Sequence, residues 1–123
     1  MKKLVVLWVM VMGVILLASA GCGVDTYTET EATISTSVNQ EFIIALQHPS
    51  PRVGNHWEES HNDKMLSLIE ITYTPDDKSH PDFGGTQNFR FKAMEAGRTE
   101  AAFTYKTVTD RIIEQKEFNI DIK

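Results

Sequence analysis

The side chains of this 123-residue chain that could bind a metal ion or transfer protons are four histidines and the acids beside them. They are His48, His56, Glu58, Glu59, His61, Asp63 and His80. The histidines fall in or beside predicted loops at irregular spacing. The sequence contains no His-x-His or His-x-x-x-His pair, the spacings that would place two zinc ligands on one face of a strand or helix. We therefore expect no metal site and no cofactor.

Residues suited to covalent or phosphate chemistry do not form a recognisable catalytic pattern either. The sequence contains no Gly-x-Ser-x-Gly motif and no glycine-rich phosphate loop ahead of a helix. Serine, histidine and aspartate residues occur, but nothing orders them into a nucleophile, a base and an orienting group. The sequence therefore predicts a protein that is not an enzyme.

The loop from Ser50 to Trp57 follows a run with the apolar, β-branched character of a strand. Pro49 and Pro51 fix φ and remove two backbone donors, so the strand must end there. Gly54 permits a turn or a close approach that a Cβ would forbid, and Trp57 supplies a large apolar anchor beyond it. By itself this pattern fits either a structural corner over a core aromatic residue or a binding loop.

A second loop carries adjacent glycines in the segment Phe83-Gly84-Gly85-Thr86. Paired glycines cost conformational entropy and are typical of places that need positive φ or a close backbone approach. The segment is therefore interpreted either as a tight hairpin connection or as a contact surface.

The elements that must position these loops show an apolar alternation of period two, and no comparable helical stripe is present. The residues on the alternating faces are Phe42, Ile44 and Leu46, then Phe89, Phe91 and Ala93, then Ala101, Phe103 and Tyr105, and finally Phe118, Ile120 and Ile122. We expect these core residues: Trp57, Phe89, Phe91, Phe103 and Tyr105.

Turn residues separate these apolar runs from one another, and each run has the length of a short strand. The alternation changes phase between residues 66–68 and 69–73, which indicates a β-bulge or a strand that moves between sheets. Ala96-Gly97 predicts a hairpin between the strands on either side. Six or seven such strands predict an all-β fold, an immunoglobulin-like antiparallel β-sandwich, with a small barrel as the alternative.

The first 21 residues have the character of an export signal. Two lysines precede an apolar run from Leu4 to Leu17, and the small residues 18–21 lead to Cys22. This end resembles the lipobox of bacterial lipoproteins, which implies a diacylglyceryl anchor on Cys22 and a location in the cell envelope. Cleavage after Ala20 would instead give a secreted protein, and a retained membrane helix is disfavoured because the run is short.

The remainder of the chain is long enough for one domain. Residues 22–33 are rich in Thr and Glu and are predicted to form a flexible tether, followed by a domain over residues 34–123. The formal net charge of −5 and the absence of a basic stripe argue against nucleic-acid binding. Because Cys22 is the only cysteine, no intramolecular disulfide is possible and packing must hold the domain. We expect a monomer.

Taken in order, these features resemble the chagasin family of cysteine peptidase inhibitors over roughly residues 33 to 123. Pro51, Gly54 and Trp57 match three positions of the first family loop, which otherwise carries Asn, two Thr and an aromatic residue. Asp82-Phe83-Gly84-Gly85 matches the Gly-x-Gly-Gly loop but has aspartate in place of the first glycine. The third loop falls at 107–109, where the family's Arg-Pro-Trp is replaced.

The resemblance implies a reversible inhibitor of papain-like cysteine peptidases whose three loops occlude the active-site cleft of the enzyme. It implies these peptidase-binding residues: Pro51, Arg52, Val53 and Gly54 in a central loop, with Phe83, Gly84 and Gly85 on one side and Thr107, Val108 and Thr109 on the other. A different class of function stays open, namely a surface lipoprotein that uses the same sandwich for adhesion or for assembly of a protein complex.

Overall fold

A computed structural model describes residues 24–123, so the predicted export signal and the predicted lipid attachment at Cys22 lie outside the described residues. Within residues 24–123 the chain forms eight strands and one 3₁₀ turn. The strands are β1 (Asp25–Tyr27), β2 (Ile34–Thr36), β3 (Glu41–His48), β4 (His56–His61), β5 (Leu66–Pro75), β6 (Gly85–Ala93), β7 (Gly97–Lys106) and β8 (Ile112–Ile122). Across residues 24–123 there is no helix with the length and apolar character needed to span a membrane.

The strands form two four-stranded sheets, in the orders β1-β3-β6-β5 and β2-β8-β7-β4. The predicted all-β immunoglobulin-like sandwich is confirmed. The sheets are mixed rather than purely antiparallel, because β1 pairs parallel with β3 and β2 pairs parallel with β8. Parallel neighbours cannot be joined by a hairpin. Between β1 and β3, the chain passes instead through β2 in the opposite sheet.

The segment predicted as a flexible tether contains part of the sandwich. Residues Asp25–Tyr27 form β1 and extend the edge of the first sheet along β3. Backbone hydrogen bonds to an open strand edge do not require an apolar sequence, which is why the Thr-rich composition concealed this strand. The Tyr27 ring packs against the core and lies edge-on to Phe42 with ring centroids 6.4 Å apart.

The predicted hairpin at Ala96-Gly97 is wrong. Strands β6 and β7 lie in opposite sheets, and the connection crosses from one layer of the sandwich to the other. Both edges of β6 are already occupied by β3 and β5, and both edges of β7 by β8 and β4. Hairpin strands and crossing strands show the same alternation, so the pattern alone could not distinguish them.

The core fills the space between the sheets with the inward faces of the strands, as predicted. Trp57, Phe89, Phe91, Phe103 and Tyr105 are all buried. Phe89 of the first sheet and Phe103 of the second meet with ring centroids 4.8 Å apart. The phase change in β5 is a bulge, seen as a register shift against β6 between residues 68 and 70. This packed layer provides a rigid base for the loops at each end.

Candidate functional site

The first loop joins β3 to β4 and is built around a single tight turn. Pro51–Val53 form a 3₁₀ turn, which Pro51 favours because its φ is already restricted. The Gly54 N–H donates to the Pro51 carbonyl at 3.1 Å, and Gly54 has a φ of 86°. That left-handed conformation is strained for residues with a Cβ, so glycine ends the turn.

The second loop joins β5 to β6 and is organised by its own hydrogen bonds. The Asp76 N–H donates to the Gly84 carbonyl at 3.0 Å, which closes the loop. The Tyr73 hydroxyl donates to the Pro81 carbonyl at 2.9 Å. Inside the loop, the rings of His80 and Phe83 stack with centroids 4.6 Å apart. The antiparallel connection at the glycine pair is therefore a hairpin with a long, structured loop rather than a tight turn.

The first and second loops touch each other. The Arg52 guanidinium carbon lies 5.3 Å from the centre of the Phe83 ring, a cation–π geometry. Arg52 Nε is also 3.9 Å from a carboxylate oxygen of Asp82. Both charged groups are exposed, so this ion pair stabilises little and serves mainly to orient Arg52. A Cβ at Gly84 would lie 3.4 Å from the Pro49 carbonyl oxygen, so the two backbones pass close together.

The third loop joins β7 to β8 and lies on the other side of the first loop. The Thr107 N–H donates to the Arg111 carbonyl at 2.9 Å, and the Asp110 N–H donates to the Thr107 carbonyl at 3.0 Å. The Thr107 and Thr109 hydroxyls are 3.0 Å apart. A Cβ built on Gly54 would lie 3.3 Å from the Cβ of Val108, so the third loop packs directly against the turn of the first.

The three predicted loops therefore lie side by side at one end of the sandwich, with the first loop in the middle. Each one exposes a large apolar side chain: Val53 is 63% exposed, Phe83 56% and Val108 72%. Arg52 lies over the Phe83 ring and provides a positive charge. We call the exposed surface of residues 51–54, Phe83 and residues 107–109 the loop edge. Gly84 and Gly85, which the resemblance placed among the peptidase-binding residues, are buried and pack against neighbouring backbone instead. Exposed apolar side chains gathered at one surface are typical of protein-binding sites.

A buried polar group beneath the loop edge was not identified from the sequence. The Tyr105 hydroxyl accepts the Ser50 N–H at 3.1 Å and lies 2.9 Å from Nδ1 of the buried His48. The Trp57 indole N–H donates to the Gln47 carbonyl at 2.9 Å, and its ring packs on Tyr105 with centroids 4.9 Å apart. The sequence did contain a pattern that indicates this group: His48 comes two residues after Leu46 and so continues the inward face of β3.

Removing the Tyr105 hydroxyl should loosen the base of the first loop. In Tyr105→Phe the Ser50 N–H loses its acceptor and His48 loses its partner, so we expect a loss of about 1–2 kcal/mol in the free energy of unfolding. Denaturant unfolding measures this value. Tyr27→Phe on β1 is the control and should cost less. Equal stability of Tyr105→Phe and the wild type would show that these hydrogen bonds contribute nothing.

His48 should titrate below the ordinary histidine pKa. Burial lowers the pKa of His48, and the positive charge of nearby His56 lowers it further. The unfolded chain then binds a proton near pH 6.5 while the folded chain does not, so stability falls as the pH drops below about 6.5 and levels off below the folded pKa. Histidine NMR titration checks the prediction, and a His48 pKa at or above the ordinary value would contradict it.

Potential metal ligands gather between the first and third loops. His56, Glu58 and Asp110 place their ligand atoms within 4.8 Å of one another. A hydrogen bond to the Gly54 carbonyl and another to Glu58 raise the pKa of His56. The Glu58 pKa is lowered chiefly by its hydrogen bond from Lys106 and also by the one from His56. Asp110 is remote from His56 and Glu58 in the sequence, so the spacing of the histidines did not indicate this mixed group.

A two-sheet sandwich with three adjoining loops at one end is the architecture that the resemblance to the chagasin family implied. Comparison with known families agrees with that resemblance. The family described as "Chagasin family peptidase inhibitor I42" matches residues 35–122. The chain belongs to this family of peptidase inhibitors. The resemblance inferred from the loops is thus confirmed, and so is the prediction of an inhibitor rather than an enzyme.

Several solved structures share the fold, two of which illustrate the likeness. One is the crystal structure of the cysteine protease inhibitor EhICP2 from Entamoeba histolytica, with a TM-score of 0.68 and 20% identity, covering 81% of this chain and 95% of that one. The other is the solution structure of Amebosin, with a TM-score of 0.61 and 18% identity, covering 82% of this chain and 97% of that one. A search of the curated proteins finds no significant match.

Proposed function

We propose that this protein is a reversible inhibitor of papain-like cysteine peptidases and that the loop edge enters the active-site cleft. The observation that carries this proposal is the position of the three loops. They are far apart in the sequence, yet Gly54 packs on Val108 and Arg52 contacts Phe83. The first loop is in the centre, so residues 51–54 form the tip of a wedge with a flanking loop on each side.

The tip suits an inhibitor because it is held in place before binding. Pro51 and the hydrogen bond from Gly54 restrict the turn, and the Trp57 and Tyr105 rings support its base. A preorganised loop loses little conformational entropy when it binds. The 3₁₀ turn also keeps the backbone from extending, and peptide hydrolysis requires the scissile carbonyl in a near-attack geometry. The loop can therefore occupy a cleft without being cut.

Arg52 and Phe83 are the residues of the loop edge best suited to contribute most of the binding energy. Arginine and aromatic side chains dominate protein interfaces, whereas valine and threonine contribute less. In this chain those two residues lie together on one side of the tip, and the third loop offers only Thr107, Val108 and Thr109. We therefore expect a peptidase cleft that contacts the second loop closely and the third loop weakly.

Titration of papain and related peptidases with the purified protein tests the inhibitor proposal. We expect competitive, reversible inhibition, with the inhibitor intact by mass spectrometry after long incubation. Full activity of every papain-like peptidase at about 10 µM inhibitor, a concentration at which even a modest interface is populated, would overturn the proposal. Cleavage within residues 51–54 would show that the protein is a substrate.

We also propose that the mature protein is a lipoprotein, exported and anchored in the cell envelope through diacylated Cys22. The support is the sequence of residues 1–22, which resembles a signal ending in a lipobox. Two acyl chains give durable membrane attachment. Replacing Cys22 with serine should move the protein from the membrane to the soluble fraction, with loss of the lipid mass. Membrane retention of this variant would contradict the proposal.

The fold makes such an anchor compatible with inhibition. Strand β1 pairs parallel with β3, with Asp25 opposite Phe42 near the start of β3. The loop edge follows the other end of β3, after His48. Only Gly23 and Val24 separate Cys22 from β1 in the sequence. The anchored end of the sandwich would therefore face the membrane, and the loop edge would point away from it toward a peptidase in solution.

A further inference from the structure

Beside the loop edge, β4 and the third loop bring a histidine and two carboxylates together. His56 and Glu58 are two residues apart on β4, so their side chains leave the same face of the strand. Asp110 approaches from the third loop, and the three ligand atoms lie within 4.8 Å of one another. We propose that His56, Glu58 and Asp110 form a binding site for one Zn²⁺ ion that joins the first and third loops.

The spacing of the two β4 ligands fits tetrahedral zinc. His56 Nε2 and Glu58 Oε2 are 3.2 Å apart. Zinc bonds of about 2.0–2.1 Å at tetrahedral angles place neighbouring ligand atoms roughly 3.3 Å apart. An ion can therefore enter between these two atoms with little movement of either side chain. Nitrogen and carboxylate oxygen are both common zinc ligands in proteins.

The groups around the first two ligands orient them for a metal. His56 Nδ1 lies 3.3 Å from the Gly54 carbonyl, a hydrogen bond in which the imidazole donates and Nε2 keeps its lone pair for an ion. Lys106 Nζ lies 2.9 Å from Oε1 of Glu58, which leaves the other carboxylate oxygen facing His56. Such outer contacts are the usual supports of metal-bound histidine and carboxylate.

Asp110 supplies the third ligand from a turn with a defined conformation. Its φ is 66°, and its N–H donates to the Thr107 carbonyl at 3.0 Å. The two carboxylates outnumber the single Lys106 ammonium, so with a neutral imidazole the cluster attracts a cation. Glu58 and Asp110 are exposed, which leaves the fourth position of the ion to water. The bound ion would link β4, directly after the first loop, to the third loop.

Calorimetric titration of the purified protein with zinc chloride at about pH 8 tests the site, because zinc binds deprotonated ligands. We expect one ion per chain. His56→Gln and Asp110→Asn should each weaken binding about tenfold or more. The matched control is His80→Gln, in the second loop, which should bind zinc as the wild type does. Zinc should also raise the melting temperature of the wild type more than that of either ligand variant.

The ¹⁵N spectrum of the wild-type histidines identifies the ligand atom without any substitution. Zinc should shift the His56 Nε2 resonance while Nδ1 stays protonated. No binding at about 0.1 mM zinc, equal affinity of the ligand variants, or a shift confined to other histidines would each overturn the proposal. None of these measurements uses a peptidase, so their outcome is separate from that of the inhibitor proposal.

Discussion

Replacing Val53 with aspartate is expected to weaken inhibition of a papain-like peptidase by about 100-fold, or about 2.7 kcal/mol, while the protein stays folded. The Val53 side chain is 63% exposed at the tip of the first loop, so the change removes no core contact. In a complex the same position would be buried against the peptidase, and a buried, unpaired carboxylate is strongly unfavourable. Inhibition constants for both proteins against one peptidase measure the effect.

The matched control for Val53→Asp is Val38→Asp. Val38 is another exposed valine, but it precedes β3 and lies at the end of the sandwich opposite the loop edge. Its replacement introduces the same charge and should leave inhibition unchanged. Melting temperatures of the two variants separate binding from folding. If Val53→Asp inhibited as well as Val38→Asp, residues 51–54 could not be the central probe.

Gly85→Ala is expected to lower the free energy of unfolding by about 3 kcal/mol, because the new methyl group has no space. A Cβ at this position would overlap the Thr74 carbonyl oxygen and lie 2.7 Å from the Tyr73 ring. Gly85 is the first residue of β6 and pairs with His48 on one side and Pro75 on the other. The neighbouring backbone is therefore held from both sides and cannot move away.

Denaturant unfolding measures the Gly85→Ala effect, with Thr86→Ala as the control in the adjacent position of the same strand. The control removes atoms and adds none, so we expect a loss of less than about 1 kcal/mol. A Gly85→Ala protein as stable as the control would show that the hairpin end adjusts freely. The expected result assigns a structural role to Gly85, whereas Gly84 allows the second loop to approach Pro49.

The sequence alone determined the fold class and the inward faces of the strands. A period-two alternation leaves only one face of each strand apolar, and two such sheets must pack together to bury it. The same rule placed Trp57, Phe103 and Tyr105 in the core, and extended to His48 it would have identified the polar group under the first loop. The loop motifs match those of the family in the same order along the chain, and this was sufficient to indicate the family. Such a match depends only on residue types and their order, both of which the sequence contains.

The tertiary structure decided which elements are neighbours. Local alternation contains no information about the partner of a strand, so β6–β7 was mistaken for a hairpin. Strand β1 was concealed because an edge strand held by backbone hydrogen bonds needs no apolar alternation. The contacts of Arg52 with Phe83 and of Gly54 with Val108 join loops that are remote in sequence. Likewise, Asp110 approaches His56 only because β4 and β7 pair in one sheet and the third loop extends β7. Sequence spacing describes contacts within an element, whereas sheet pairing alone brings these distant side chains together at one end of the sandwich.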